Sequence, residues 1–151
     1  MVDLKANPYY LKEEDCKWVE DTIAGMTDEE KVGQLFFQLT QSQDEEHLKE
    51  LMEKYHLGGC RYNAAPAKAI QEQNRTLQKY AKVPVIIACN TEAGGDGACS
   101  DGTPIASELK IAATGNEEYA FALGKMANEE AAAIGCNTAF APICDIAYNW
   151  E

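Results

Sequence analysis

Apolar and polar positions alternate along this chain in two rhythms, one helical and one typical of buried strands. Between Glu13 and Ala24, Cys16, Val19, Ile23 and Ala24 recur at helical spacing before Gly25, which predicts a first helix. Thr27-Asp28-Glu29-Glu30 has the T-x-x-E form of a capping box, so a second helix is expected to start at Asp28. Its register puts Val32, Leu35 and Phe36 on one face. Phe36–Leu39 suits either the end of that helix or a short strand. Gln43–Tyr55 carries Leu48, Leu51, Met52 and Tyr55 at helical spacing, and Gly58-Gly59 breaks it before a strand candidate at Cys60–Tyr62. Ala65–Ala81 predicts the next helix, with Pro66 suited to its first turn.

Val83–Cys89 is the clearest strand, rich in β-branched residues and free of polar ones. It stops at Asn90-Thr91-Glu92, and a Gly-rich loop follows. Helix is expected over Pro104–Ala113 and again over Glu117–Ile134, where Asn116 caps, two acids open the first turn and Gly135 ends the run. Asn137–Pro142 is the last strand candidate, and Asp145 stands just beyond it. From Leu48 onward helices and strands alternate, which implies an α/β fold with a parallel sheet covered on both faces. Such a sheet is either doubly wound and open or closed into a barrel, and periodicity does not choose between them. Closing a barrel would take more strands than this chain holds. No GxGxxG followed directly by a helix occurs in Asn90–Gly102, so the dinucleotide signature is missing. Polar groups at the carboxyl ends of buried parallel strands are where such folds hold ligands. That rule marks Asn90, Glu92 and Asp145 as candidate site residues.

Composition narrows the function classes. At 151 residues one domain could bury roughly 70% of its unfolded surface. The formal net charge of −12 argues against a nucleic-acid or anionic-membrane partner and favours a neutral substrate. None of the six cysteines forms a CxxC pair, and His47 and His56 are not spaced with them as zinc ligands. No metal site or cofactor is implied. Cys60, Cys89, Cys136 and Cys144 sit in or beside apolar runs, where free thiols behave as small buried hydrophobes. Reduced thiols point to a reducing compartment. The opening MVDLKANPYYLKEEDCKWVE is polar and acidic, unlike a secretory signal, and no apolar stretch approaches the ~20 residues of a membrane span. A cytoplasmic location is expected.

Four segments, in order, resemble the amino-terminal barrel domain of glycoside hydrolase family 3. They are Met26–Phe37 (MTDEEKVGQLFF), Leu57–Asn63 (LGGCRYN), Val83–Gly97 (VPVIIACNTEAGGDG) and Ala112–Ile146, which ends in the AP-x-x-DI strand end. The resemblance runs from about Met26 to Glu151, which leaves residues 1–25 as a helical lead-in and 26–151 as an incomplete barrel domain. It implies the first half of a (β/α)8 barrel, since a whole one takes ~250 residues. It further implies retaining hydrolysis of β-linked O-glycosides, with β-N-acetylhexosaminidase, acting on cell-wall fragments, the favoured activity.

Residue by residue, the resemblance assigns no catalytic group to this chain. Asn90 stands where many members have an acid that bonds sugar hydroxyls; an amide both donates and accepts, whereas a carboxylate only accepts. Glu92 matches the second acid. Common members carry an arginine after the Gly-Gly pair, and here Asp96 and Gly97 stand instead. Some relatives carry Asn-x-Glu-x-Gly-Gly followed by a small polar residue, so this is a subfamily form. Asp145 matches the acid of the AP-x-x-DI end, with orientation of neighbouring arginines its expected role. Trp150 is a candidate for stacking on a sugar, while Trp18 is expected in the core. Gly94 and Gly95 are expected to serve loop geometry, and Asp96, Asp101 and Glu108 to be solvated charges. Retaining hydrolysis needs a nucleophilic carboxylate with an acid/base about 5–5.5 Å away when that partner is a carboxyl. In the family's order both groups lie beyond residue 151, so the chain alone is expected to be inactive. The alternative is a non-catalytic sugar-binding or scaffold half barrel. A barrel enzyme acting on phosphorylated metabolites is disfavoured by the acidity and the missing phosphate loop. An exposed sheet edge is expected to drive self-association.

Overall fold

Residues 2–145 are described by a computed structural model in which helices alternate with four short parallel strands. The helices are α1 (Glu13–Ala24), α2 (Asp28–Gly33), α3 (Glu45–Glu53), α4 (Ala67–Tyr80), α5 (Glu108–Ala113) and α6 (Glu117–Ala133). The strands are β1 (Phe37–Leu39), β2 (Gly59–Arg61), β3 (Ile86–Cys89) and β4 (Thr138–Ala139). Side-chain caps start the helices where the sequence places them. Glu30 N–H donates to Thr27 Oγ1 (3.2 Å) while Thr27 N–H donates to Glu30 Oε2 (2.8 Å), closing the capping box of α2. Asn116 Oδ1 accepts from Glu118 N–H at 3.0 Å at the head of α6.

The strands pair in chain order, β1-β2-β3-β4, and every pair is parallel. A doubly wound sheet reverses its order at a switch point. This sheet has no reversal, so each strand lies beside its predecessor as in the first half of a (β/α)8 barrel. Topology thus makes the choice that periodicity leaves open.

Strand register divides the sheet into two unlike faces. Phe37, Gly59 and Ile86 are partners, as are Leu39, Arg61, Ala88 and Thr138. Alternation puts these on one face and Gln38, Cys60 and Ile87 on the other. The second face meets the helices: Cys60 and Ile87 join Leu48, Leu51 and Met52 of α3 and Ile70 and Leu77 of α4 in one buried core. On the first face Phe37, Leu39 and Ile86 are exposed. Phe37 and Phe140, from opposite ends of the sheet, bring their rings to 5.6 Å between centroids. That approach requires the sheet to curl, so the Phe37 face is concave. Gly59 belongs there because the Phe37 ring occupies the space its Cβ would need.

Several elements are shorter than their apolar runs. β3 starts at Ile86 because Gln78 takes the Val85 backbone, accepting from its N–H (3.1 Å) and donating to its carbonyl (2.9 Å). α5 starts at Glu108 because Pro104 lies in a bridge with Gly94, and Ile105 and Ala106 donate to the Ala93 carbonyl. Beside β4, Asn137 extends the ladder through its side chain, accepting from Ile87 N–H at 2.8 Å and donating to the Val85 carbonyl at 2.9 Å. Trp18 is 54% exposed, against the expected core position, because the inward face of α1 carries only the small Cys16 to the interior. Val32, Leu35 and Phe36 are exposed beside β1, at the open edge of the sheet. Five of the six free cysteines are buried, and Cys144 is exposed beyond β4.

Two measurements follow from this packing. Ile87 (0% exposed) and Ile86 (48%) are neighbours on opposite faces. Ile87→Ala should lower unfolding stability by about 2–5 kcal/mol, and Ile86→Ala by under about 1 kcal/mol, in urea titrations. Four carboxyls are held below the usual carboxylate value: Glu30 by Lys82, Glu45 by Lys79 and Tyr80, Glu50 by Lys54, and Glu130 by the Thr103 hydroxyl and N–H. A depressed folded-state value stabilises above the unfolded value of 4.5 and is lost as pH falls through it. The thermal midpoint should therefore stay level from pH 7 to about 5.5 and fall below about 4.5, with a shallower fall in Glu30→Gln.

Candidate functional site

Arg61 closes β2 and Asn90 follows β3, both at the carboxyl ends of their strands. Arg61 shares its face with Leu39 and Ala88, and Asn90 lies two residues beyond Ala88, so both side chains belong to the concave face. Arg61 Nε donates to Asn90 Oδ1 at 2.8 Å, and Asn90 Nδ2 donates to Glu92 Oε1 at 2.7 Å. A guanidinium has only donors and a carboxylate only acceptors. The carboxamide can satisfy both neighbours in one orientation alone, oxygen toward Arg61 and nitrogen toward Glu92. All three residues are half-buried. Among the described residues Arg61 forms no ion pair, and neither its terminal nitrogens nor Glu92 Oε2 makes a hydrogen bond.

The loop after Glu92 is tied down from α6. Glu130 accepts from Thr103 N–H at 2.8 Å and from Thr103 Oγ1 at 2.5 Å. A Cβ on Gly95 would collide with the same carboxylate, and one on Gly97 would collide with the Asn90 carbonyl. Gly94 has φ +150°, a conformation closed to most side chains. The glycines therefore let the loop lie flat against α6 and the end of β3. Asp101 is more than a solvated charge: its Oδ1 accepts from Ala67 N–H at 2.7 Å and satisfies the first turn of α4. Glu108 likewise accepts from Ile143 N–H at 2.8 Å, holding the segment beyond β4 to α5.

Asp145 lies beyond the carboxyl end of β4, exposed, and makes no hydrogen bond with Asn90 or Glu92. The structure brings Asn90 and Glu92 into one hydrogen-bonded row that does not include Asp145. Trp150 lies outside the described residues. Arg61 is the member that sequence reasoning passes over. Its signal was available, because it is the one cation in the Cys60–Tyr62 strand candidate. Glu130, in the last turn of α6 and far along the chain, carried no such signal.

Behind Asn90, on the helix-facing side, Tyr62, Cys89 and Cys136 form a polar contact inside the core. Tyr62 Oη and Cys136 Sγ are 2.8 Å apart. Burial, with the Cys136 thiol beside it, pushes the Tyr62 phenol up, and contact with Cys136 followed by burial pushes the Cys89 thiol up. The same contact with Cys89 draws the Cys136 thiol down; all three groups belong to the buried core and serve packing. A cavity of about 430 Å³ beside α5 and α6 is lined by Thr91, Glu92, Glu108, Leu123, Pro142 and Ile143 among others. Among the described residues no cluster of His, Cys, Asp and Glu side chains could hold a metal ion, and no helix is long and apolar enough to cross a membrane.

Comparison with known proteins supplies the family. Residues 27–151 match the model of the glycosyl hydrolase family 3 N terminal domain. The whole chain aligns at 35% identity with a β-N-acetylglucosaminidase/β-glucosidase of Cellulomonas fimi, covering 27% of that protein. Two solved structures of the β-glucoside phosphorylase BglX superpose on 95% of this chain. The one bound to 2FGlc has a TM-score of 0.87 and 36% identity; the other has 0.84 and 37%. The chain spans 26% and 25% of those structures, about a quarter of the length of each relative. With the family model matching residues 27–151 and the strand order in agreement, this chain belongs to glycosyl hydrolase family 3.

Proposed function

We propose that the concave face around Arg61, Asn90 and Glu92 is part of the sugar-binding floor of an enzyme that cleaves β-linked O-glycosides with retention of configuration, with N-acetyl-β-hexosaminides as substrates. The observation that carries this reading is the hydrogen-bonded row Arg61–Asn90–Glu92 at the carboxyl ends of β2 and β3. It offers donors at one end and acceptors at the other, which suits the hydroxyls of a neutral sugar. The Cellulomonas fimi relative, with its two named glycosidase activities, supports the substrate class. Asp145 serves to orient cations at the rim of the site. No nucleophile or acid/base is assigned within residues 2–145, so the chain by itself binds sugar weakly and does not turn over. The free thiols support a cytoplasmic location.

The BglX neighbours favour a second reading, in which inorganic phosphate rather than water accepts the glycosyl group. Both routes share the same sugar floor and differ only in the acceptor. They are separated by their products: free sugar in one case, sugar 1-phosphate in the other.

The test replaces the matching segment of the Cellulomonas fimi relative with residues 27–145 of this chain. The chimaera should cleave 4-nitrophenyl N-acetyl-β-glucosaminide within about 30-fold of the parent, about 2 kcal/mol in transition-state stabilisation. The isolated chain should show no turnover. A folded chimaera inactive on both this substrate and the β-glucoside would overturn the reading, and a rate that depends on phosphate would select the second acceptor. The exposed apolar residues of the concave face and of the β1 edge, Leu35, Phe37, Leu39 and Ile86 among them, are also expected to make the isolated chain self-associate. Light scattering after size exclusion checks this, and a monomer with a cooperative melt would contradict it.

A further inference from the structure

We infer that Arg61 is the positioning residue of this site, supplying from β2 the organising cation that the loop after Glu92 lacks. The inference rests on the sugar-floor reading and adds to it which group anchors the Asn90 carboxamide from the neighbouring strand.

Three observations carry it. The loop from Thr91 to Ser107 contains no lysine or arginine, so no cation comes from that side. Arg61 reaches the same strand end from the neighbouring strand, with Nε 2.8 Å from Asn90 Oδ1. Asn90 in turn donates to Glu92 at 2.7 Å, so its carboxamide is held at both ends, oxygen on a donor and nitrogen on an acceptor. With Arg61 removed, the carboxamide is held by Glu92 alone and its oxygen loses its donor.

The same geometry explains why an amide suits position 90. A carboxylate there would stand against the Glu92 carboxylate at hydrogen-bond distance, and two acids so placed cannot both ionise freely. Asparagine instead passes polarity from a cation to an anion without a like-charge contact. The row runs positive, neutral, negative, and its open ends are the terminal nitrogens of Arg61 and Oε2 of Glu92. A sugar hydroxyl accepting from Arg61 and a second donating to Glu92 match those ends. Because Arg61 is the last residue of a paired strand, its backbone is set by the ladder, and a site on a strand is held more closely than one on a loop.

The experiment has two independent arms. In the chimaera described above, Arg61→Met should raise KM by about 10–100-fold while kcat changes by less than about 3-fold, and Arg61→Lys should recover part of the loss. Asn90→Asp should add an ionisation to the pH profile of kcat/KM that the parent chimaera lacks, and this change is not expected from a role in packing alone. In the isolated chain, without any substrate, the side-chain amide signals of Asn90 in a 15N-labelled sample should shift on Arg61→Met, while the backbone signals of β3 stay in place. Unmoved Asn90 amide signals, or equal KM values for Arg61→Met and its parent, would overturn the inference. An inactive parent chimaera with shifted Asn90 signals would instead uphold the Arg61 role and overturn the sugar-floor reading.

Discussion

Parallel pairing in unbroken chain order governs the rest of this structure. Because β1, β2, β3 and β4 lie side by side without reversal, all four carboxyl ends point the same way, and every crossover helix falls on one side. That side becomes the hydrophobic core, with Leu48, Ile70, Leu77, Ile87 and Cys89 closed to solvent. The other side curls into a concave surface where Phe37 and Phe140 meet. The site follows from this division: only residues in phase with Phe37, Gly59 and Ile86 can reach the concave face, and Arg61 and Asn90 are in phase.

Polarity is arranged along the strand ends as carefully as apolar area is arranged beneath them. The cation, amide and carboxylate of Arg61, Asn90 and Glu92 are matched donor to acceptor. One residue inward, Cys89 and Cys136 lie buried on the helix side with Tyr62. Strand alternation thus separates a hydrogen-bonding surface from a thiol-lined core by a single peptide unit. Charge elsewhere follows the same economy: Glu30 caps α2 and pairs with Lys82, and Glu130 holds Thr103.

The glycine-rich loop shows how tightly this surface is defined. Gly95 lies against the Glu130 carboxylate and Gly97 against the Asn90 carbonyl, so a side chain at Gly97 would meet backbone and one at Gly95 would have to displace Glu130. The loop is pressed between α6 and the end of β3. A loop so placed contributes backbone and shape, which leaves the organising charge to come from the neighbouring strand.

Local pattern determined much of this protein. Helical spacing and the Thr27–Glu30 box mark α1 and α2 from their first residues, and the apolar run into Asn90 marks β3 and the site beyond it, because these signals depend on near neighbours in the chain. The family resemblance, carried by motifs in order, by itself implies the barrel. Other features depended on contacts between distant segments. Gln78 trims β3 by occupying Val85, Pro104 delays α5 through its bridge to Gly94, and Trp18 is left in solvent because the core offers α1 room only for Cys16. The sequence by itself named Asn90, Glu92 and Asp145, and only the tertiary structure joined Asn90 to Arg61 across 29 residues of chain. The reason is register: which residues of neighbouring strands stand side by side is settled by pairing across the sheet, and no local pattern carries that information.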